Sequence, residues 1–395
     1  MTSDLPHSTN GSSVESSAEM TARSLPPSRF MRVALGAAEQ ARGRTGPNPW
    51  VGAVVARGHE QVSVACTQKS GSLHAEAAAL VGVDTAGATL YTTLEPCVSF
   101  PGKRTAPCTR VILAAGLARV VIALPDPDPN VAGRGIAELR SKGVHVEVGD
   151  GFNSAFGQLR PYVKHRRTGR PYVIVKFAAS LDGRVASRSG DSQWITGKIA
   201  RERGHAERAR CDGIVVGSGT ALADDPLLTA RPPERSGFVQ PVRIVLDSRG
   251  RLSPKARLFG DGGQAIVATT SMSRESWRES IAEAGGRVIL AGQGSDGVDL
   301  DELMNLLGSE GLVSVLVEGG GTLIGSLLRG GHVDELLGFI APIVIGGDGA
   351  PAVAGPGAET LQGAWTMHES TAHVLGDDVL IKGFVSEIEA PEIEW

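Results

Sequence analysis

Apolar residues fall at helical spacing along PPSRFMRVALGAAEQARGR, with Ser28 placed to cap the first turn and Gly43 to end the last. The period then changes repeatedly. VGAVVA and VSVAC suit short strands, HAEAAAL a helix, ATLYTTL a strand, CTRVILAAG a helix, RVVIAL (119–124) a strand, GRGIAELRSKG a helix and VHVEV a strand. This alternation predicts a three-layer α/β domain over residues 26–150. GFNSAFGQLRPYVKHRRTGRP, rich in basic residues, Gly and Pro, predicts a connector at 151–170 with room for one helix. A second alternating series follows: YVIVKFAAS, the helical GKIARERGHAERAR, GIVVGSG, VRIVLDS, AIVATT, RVILA, the helical LDELMNLL, VSVLVEGG, the helical TLIGSLL and a closing VLIKGFV. It predicts a second α/β domain with its own sheet over 171–388, then a short tail at 389–395. No repeat relates the two halves. GDGGQ and AGQGSDG are Gly-rich loops with no evident chemistry.

Composition narrows the class. A chain of 395 residues has room for two or three domains with ample core. Residues 1–25, polar and rich in Ser and Thr, predict a disordered tail and lack the apolar stretch of a secretory signal. No apolar run reaches the roughly 18–20 residues of a bilayer span, so no membrane partner is expected. A net charge of −4 gives no general attraction for nucleic acid, which is not expected as a partner either. Cys66, Cys97, Cys108 and Cys211 form no secreted disulfide pattern, which points to a reducing cytoplasm.

Candidate chemistry concentrates at LHAEAAAL (73–80) and LEPCVSFPGKRTAPC (94–108). His74, Cys97 and Cys108 supply one imidazole and two thiolates, a donor set suited to Zn²⁺. Three protein ligands leave the fourth tetrahedral position open, as in a catalytic site. Glu76 is then a carboxylate beside the metal, able to take a proton from water and deliver it to a leaving amine. The same logic underlies the H-x-E…P-C-x-x-C signature of zinc nucleobase deaminases, although ten residues here separate the two cysteines. His74 opens one predicted helix and Cys108 another, and helix N-termini favour thiolate over thiol. Two bland readings stay open: ordinary buried cysteines beside a solvated His and Glu, or a structural zinc site, which usually has a fourth protein ligand.

In the second half, Gly319, Gly320 and Gly321 lie between a predicted strand and helix, where backbone N–H groups can cradle phosphates without the G-x-G-x-x-G of a Rossmann domain. Arg208 and Arg231 are of the residue type that binds phosphate in bidentate fashion. Lys176 interrupts an apolar strand and is expected at a cleft rather than at a sheet edge.

HAEAAAL, TLEPC, DPDPNVAGRGI, KFAASLDGRVA, SGDSQWIT, GTALADDPLLTAR and VEGGGTLIGSLL occur in this order, within about residues 29–385. Together they resemble the bifunctional deaminase–reductases of bacterial riboflavin biosynthesis. The resemblance implies a cytidine-deaminase-like first domain with one Zn²⁺. This domain would remove an exocyclic amine from a diaminopyrimidinone bearing a ribosylamino 5-phosphate. It implies a dihydrofolate-reductase-like second domain that uses NADPH to reduce the ribosyl group to ribityl. NADPH contacts are implied at Ala178, Trp194, Thr220, Asp224, Ser248 and the segment Gly320, Gly321, Thr322, Leu323, Ile324, Gly325 and Ser326. Substrate contacts are implied at Ser192, Arg208, Leu228, Arg231 and Glu318, with Lys176 joining them at the cleft, and at Asn48 of the PNPWVG motif.

Two features depart from the family pattern. Thr67 stands where a His is common seven residues before HAE, and the loop VSFPGKRTAP between the cysteines carries no His. They leave open a reductase with a zinc-containing structural module, or a related pathway with a modified pyrimidine. Both resembled folds commonly associate, so a homo-oligomer acting on small phosphorylated pyrimidines is expected.

Overall fold

The computed structural model describes residues 25–103, 105–233, 236–260 and 262–392. The expected N-terminal tail, apart from Leu25, and residues 393–395 lie outside the described residues.

Helix α1 (Arg29–Ala41) starts where Ser28 Oγ accepts the Met31 N–H at 3.4 Å, and buries Phe30, Met31, Ala34, Leu35, Ala38 and Ala41. It lies on a five-stranded sheet of order β2-β1-β3-β4-β5. The strands are β1 (Gly52–Arg57), β2 (Glu60–Cys66), β3 (Thr89–Thr92), β4 (Arg119–Ile122) and β5 (His145–Val148). β1 runs antiparallel to β2 and β3, whereas β3, β4 and β5 are mutually parallel. Helices α2 (Ala75–Leu80), α3 (Cys108–Ala114) and α4 (Arg134–Ser141) pack side by side as a second helical layer. β1 is buried along nearly its whole length, as a strand covered on both faces must be.

The segment expected as a connector is one long helix, α5 (Phe152–Thr168). Phe152, Ala155, Phe156, Leu159, Tyr162 and Val163 recur at three- and four-residue steps and join the first core. Basic side chains and the internal Pro161 obscure this stripe in the sequence. Pro161 itself is buried, and the helix runs through it. Other side chains of α5 grip the second half. Lys164 Nζ lies 2.5 Å from Asp334 Oδ2, Arg160 Nη2 is 2.7 Å from Glu369 Oε1, and the Arg160 guanidinium sits 3.7 Å over the Phe384 ring. Arg167 Nη1 donates to the Glu389 carbonyl at 2.6 Å. Residues 389–392, expected as part of a tail, therefore dock against the first domain, with Ala390 on its core and Pro391 buried.

The second half forms a nine-stranded sheet of order β11-β10-β9-β8-β14-β6-β15-β18-β17. Its strands are β6 (Tyr172–Ser180), β8 (Gly213–Gly217), β9 (Val242–Leu246), β10 (Ala265–Thr269), β11 (Gly286–Leu290), β14 (Ser314–Val317), β15 (Glu335–Ala341), β17 (His368–Leu375) and β18 (Asp378–Phe384). Short pairs β7 (Arg184–Ala186) with β16 (Ala350–Pro351), and β12 (Gln293–Gly294) with β13 (Gly297–Val298), stand apart. The second pair is built from the AGQGSDG loop. Strands β11 through β15 in the sheet order are parallel; β18 runs antiparallel to β15, and β17 antiparallel to β18. The helices are α6 (Lys198–Arg208), α7 (Ser218–Asp224), α8 (Glu275–Glu283), α9 (Leu300–Ser309) and α10 (Gly321–Arg329). β6 lies inside the sheet between β14 and β15, so Lys176 is not at an edge. The carboxyl ends of neighbouring strands β9, β8, β14 and β6 fall on one rim, the place where parallel sheets bind ligands.

Gly52 marks the closest approach of α1 to β1, because a Cβ there would lie 1.8 Å from the Ala34 carbonyl oxygen. Gly52→Ala is expected to destabilise the fold by about 1–3 kcal/mol or more, read from the denaturation midpoint.

Candidate active sites

Two helix N-termini and one strand exit build the first site. His74 immediately precedes α2, Cys108 is the first residue of α3, and Cys97 follows β3 after Glu95 and Pro96. Cys97 Sγ is 3.4 Å from Cys108 Sγ and 3.5 Å from His74 Nδ1, and Cys108 Sγ is 3.4 Å from the same nitrogen. Zinc bonds of about 2.0 Å to nitrogen and 2.3 Å to sulfur at tetrahedral angles separate such donors by roughly 3.5–3.8 Å, so the triangle fits the ion. No fourth His, Cys, Asp or Glu joins this set among the described residues. The sulfurs are already biased towards charge. The Cys108 thiol, with His74 adding to it, pulls the Cys97 thiol well below its ordinary range, and sharing that proton pushes Cys108 up.

Thr105, which the sequence did not single out, lies with its Oγ1 3.3 Å from His74 Nε2. With Nδ1 given to the metal beside the sulfurs, Nε2 would carry the hydrogen and donate to Thr105, which would fix the tautomer and ring plane. Glu76, on the first turn of α2, is 3 % exposed and stands just outside the donor triangle. Burial and the negative charge on Cys97 push its carboxyl up to about 7, an affinity suited to holding and releasing a proton at neutral pH.

These groups open on a cavity of about 350 Å³ that Asn48, Thr67, Phe100, Lys103, Asp126, Asp128, Tyr162 and Arg166 also line. Thr67 ties the Asn48 loop to the wall, since its Oγ1 accepts the Val51 N–H at 3.0 Å. Asp126 accepts from Tyr162 Oη at 3.1 Å and from the Asp128 N–H at 2.9 Å, and burial pushes its carboxyl up to about 7. Glu95 anchors this wall. Its carboxylate, 2 % exposed, accepts the N–H groups of Asp126, Gly133, Gly135 and Ile136 at 3.0, 3.0, 2.8 and 3.1 Å.

The second site lies on the rim of the large sheet. Lys176 on β6 and Glu318 at the end of β14 face Arg208 at the end of α6. Arg208 Nε and Nη2 donate to the two Glu318 oxygens at 2.6 and 2.5 Å, so its fork is occupied rather than free for phosphate. Burial pushes the Glu318 carboxyl up, but Arg208, with Lys176 adding its charge, outweighs this and holds it at about 2. Burial lowers Lys176, with the Glu318 charge opposing. His205, absent from the sequence expectations, joins this cluster, pushed down to about 4 by burial and then by Arg208 and Arg231. Arg231 remains exposed, donating to Thr229 Oγ1 at 2.6 Å.

Ser248, Gly320, Thr322, Leu323 and Ser326 line a cavity of about 290 Å³. A Cβ on Gly320 would sit 3.5 Å from Thr220 Oγ1, which puts Thr220 beside the glycine turn. Ala178 is half-buried on β6, Ser192 and the 69 % exposed Trp194 lie on the loop before α6, and Asp224 ends α7 with its carboxyl raised by burial. Gly321 packs against the β16 backbone, where a Cβ would meet the Pro351 carbonyl oxygen at 2.5 Å. Ile324 and Leu228 point their side chains into the core rather than the cleft, and Gly325 abuts the Ala354 carbonyl, where no side chain would fit.

Residues 26–124 match the cytidine and deoxycytidylate deaminase zinc-binding region, and residues 171–381 match the RibD C-terminal domain. The riboflavin biosynthesis protein RibD of Escherichia coli is 40 % identical, over 89 % of this chain and 97 % of its own length. The chain belongs to the RibD family. RibD of Bacillus amyloliquefaciens is 36 % identical over 89 % of this chain and 94 % of its own. The solved structure of Acinetobacter baumannii RibD superposes with a TM-score of 0.82 at 31 % identity, covering 91 % of this chain and 98 % of that one. A Thermotoga maritima diaminohydroxyphosphoribosylaminopyrimidine deaminase/5-amino-6-(5-phosphoribosylamino)uracil reductase does so with a TM-score of 0.78 at 30 % identity, covering 90 % and 98 %. As in RibD, a cytidine-deaminase-like zinc domain precedes a dihydrofolate-reductase-like domain that uses NADPH, and the chain is a bifunctional deaminase and reductase of riboflavin biosynthesis. Among the described residues no helix is long and apolar enough to cross a membrane.

Removing the acceptor on His74 with Thr105→Val is expected to weaken zinc binding roughly 10- to 100-fold in a chelator competition. For Glu318, the depressed carboxyl contributes stability that is fully present above its ordinary value of 4.5 and is lost as pH falls towards about 2. The stability gap between the parent and Glu318→Gln is expected to close over that window in urea titrations.

Proposed function

We propose that the first site removes the exocyclic amine of a 2,5-diaminopyrimidinone carrying a ribosylamino 5-phosphate, and that the second reduces the ribosyl chain of the deaminated product. The donor triangle of His74, Cys97 and Cys108, with Glu76 beside it and a cavity in front, carries the reading. When bound, Zn²⁺ acidifies water. Glu76 takes the proton that water loses and hands it to the departing nitrogen, so that C–NH₂ and H₂O become C=O and NH₃. Asn48 and the Asp126 wall orient the ring, and closure of this wall around the pyrimidine limits competing water.

In the second site NADPH, when bound, supplies hydride. The open-chain form of the sugar is held with C1 towards Lys176 and Glu318, and its phosphate rests on Arg231, since Arg208 is committed to Glu318. Arg208 thereby keeps Glu318 charged, and Lys176 shares that charge. Positioning is the main protein contribution here. Thr220, beside the glycine turn, and Ser192, on the loop before α6, serve orientation in this reading. The exposed outer strand β17, with Val374 at 77 % exposure, supports association with a second copy through the sheet edge, and we place the enzyme in the cytoplasm.

Purified chain assayed for zinc, for ammonia release and for NADPH oxidation tests both halves. Glu76→Gln is expected to keep zinc and NADPH oxidation while ammonia release falls about 10²- to 10⁴-fold. Zinc in the parent without ammonia release from the diaminopyrimidinone would overturn the deaminase assignment. Arg231→Ala is expected to raise the reductase KM about tenfold or more with kcat little changed, and an unchanged KM removes the phosphate from Arg231.

A further inference from the structure

We propose that Arg251 selects NADPH over NADH by seating the phosphate on the cofactor's adenosine ribose, an inference that rests on reading the cavity beneath the glycine turn as the dinucleotide site. The cavity of about 290 Å³ lies between the ends of β8 and β9 and the start of α10, and contains Ser218, Ser248, Arg251, Asp296 and Ser326. Its backbone N–H groups at the head of α10 suit the bridging diphosphate. A third, monoester phosphate then needs a separate cation.

Two arginines reach this region, and they are not equivalent. Arg329 is committed: its Nη2 donates to Asp296 Oδ2 at 2.7 Å and approaches Ser326 Oγ at 3.1 Å. Arg251 makes one side-chain hydrogen bond among the described residues, from Nη2 to Ser218 Oγ at 2.6 Å. Its base is fixed from below. Asp247, fully buried, accepts the Arg251 and Leu252 N–H groups at 2.5 and 2.7 Å, and its other oxygen lies 3.9 Å from Arg251 Nε. The guanidinium is thus held in place while its side chain stays 55 % exposed at the rim. Arg249, two residues earlier, opens instead into a different cleft with Arg274 and Trp277.

Asp296 presents the opposite chemistry, since a carboxylate in such a cavity accepts ribose hydroxyls and repels a phosphate. Here its Oδ2 takes both Ser326 Oγ and Arg329 Nη2, each at 2.7 Å, so its charge is compensated on the spot. A prearranged guanidinium therefore shares the cavity with a neutralised acid, which favours the extra phosphate.

The test is calorimetric binding of 2′,5′-ADP and 5′-ADP to the full zinc-loaded chain. The parent is expected to prefer 2′,5′-ADP by at least tenfold. Arg251→Ala should lose roughly 10- to 100-fold for 2′,5′-ADP and little for 5′-ADP, and Arg251→Lys, which keeps the charge without the fork, should recover part of the loss. Equal weakening of both ligands would assign Arg251 to the diphosphate and overturn the proposal. So would an unchanged 2′,5′-ADP affinity together with loss of 5′-ADP binding in Asp296→Asn. If the parent bound NADPH but neither fragment, the cavity would not be the adenosine site, and the underlying reading would fail instead.

Discussion

A carboxylate that no cation pairs with among the described residues holds the hydrolytic site together. Glu95 is surrounded by four backbone N–H groups from the segment Asp126–Ile136, and it lies two residues from Cys97. A residue three positions beyond the end of β3 thus fixes both a metal donor and the wall that the pyrimidine must meet. Four amide donors replace the hydration the buried charge gives up, although burial still leaves the carboxyl raised. Glycines make the approach possible. A Cβ on Gly135 would lie 2.1 Å from the Pro96 carbonyl oxygen and 3.1 Å from Glu95 Oε1. The glutamate of TLEPC and the glycines of VAGRGI are two halves of one contact.

The second site follows a different rule. Its charges are balanced among side chains rather than by amides, with Arg208 and Glu318 paired and Lys176 and His205 close by. Such a cluster is organised before any ligand arrives. A neutral imidazole and a lowered ammonium beside a fully charged carboxylate limit the cost of gathering three basic groups in one cleft. Arg231, outside the pair, keeps its hydrogen-bonding capacity for an incoming anion.

Much of this was legible in the sequence because it rests on local period. The five strands of the first sheet and seven of the nine in the second, the helices that begin at His74 and Cys108, and the order of motifs all depend on neighbours a few residues apart. The ligand triangle was legible too, since imidazole and thiols are scarce and chemically distinctive. What escaped depends on distance along the chain. Thr105 is an ordinary residue until folding sets it against His74, thirty-one positions away. The Arg208 pair spans 110 residues, and nothing in either motif announces that the guanidinium is already taken. Asp296 sat in a glycine loop without evident chemistry until the β12–β13 hairpin carried it to Ser326. Strand β15, written ELLGFIA, suits a helix as well as a strand, and only its place between β6 and β18 decides.

Helix α5 gives the chain a property that neither active site requires. Its aromatic stripe completes one core while its arginines and lysine satisfy carboxylates and carbonyls of the other. A cut ahead of Phe152 would open a greasy trough in the hydrolytic half, and a cut after Gly169 would leave Asp334 without Lys164 and the closing carbonyls without Arg167. Each fragment would lack contacts that the other supplies. The helix therefore ties the two halves by packing as well as by chain connectivity, so that parting them would bare apolar surface on one side and basic side chains on the other.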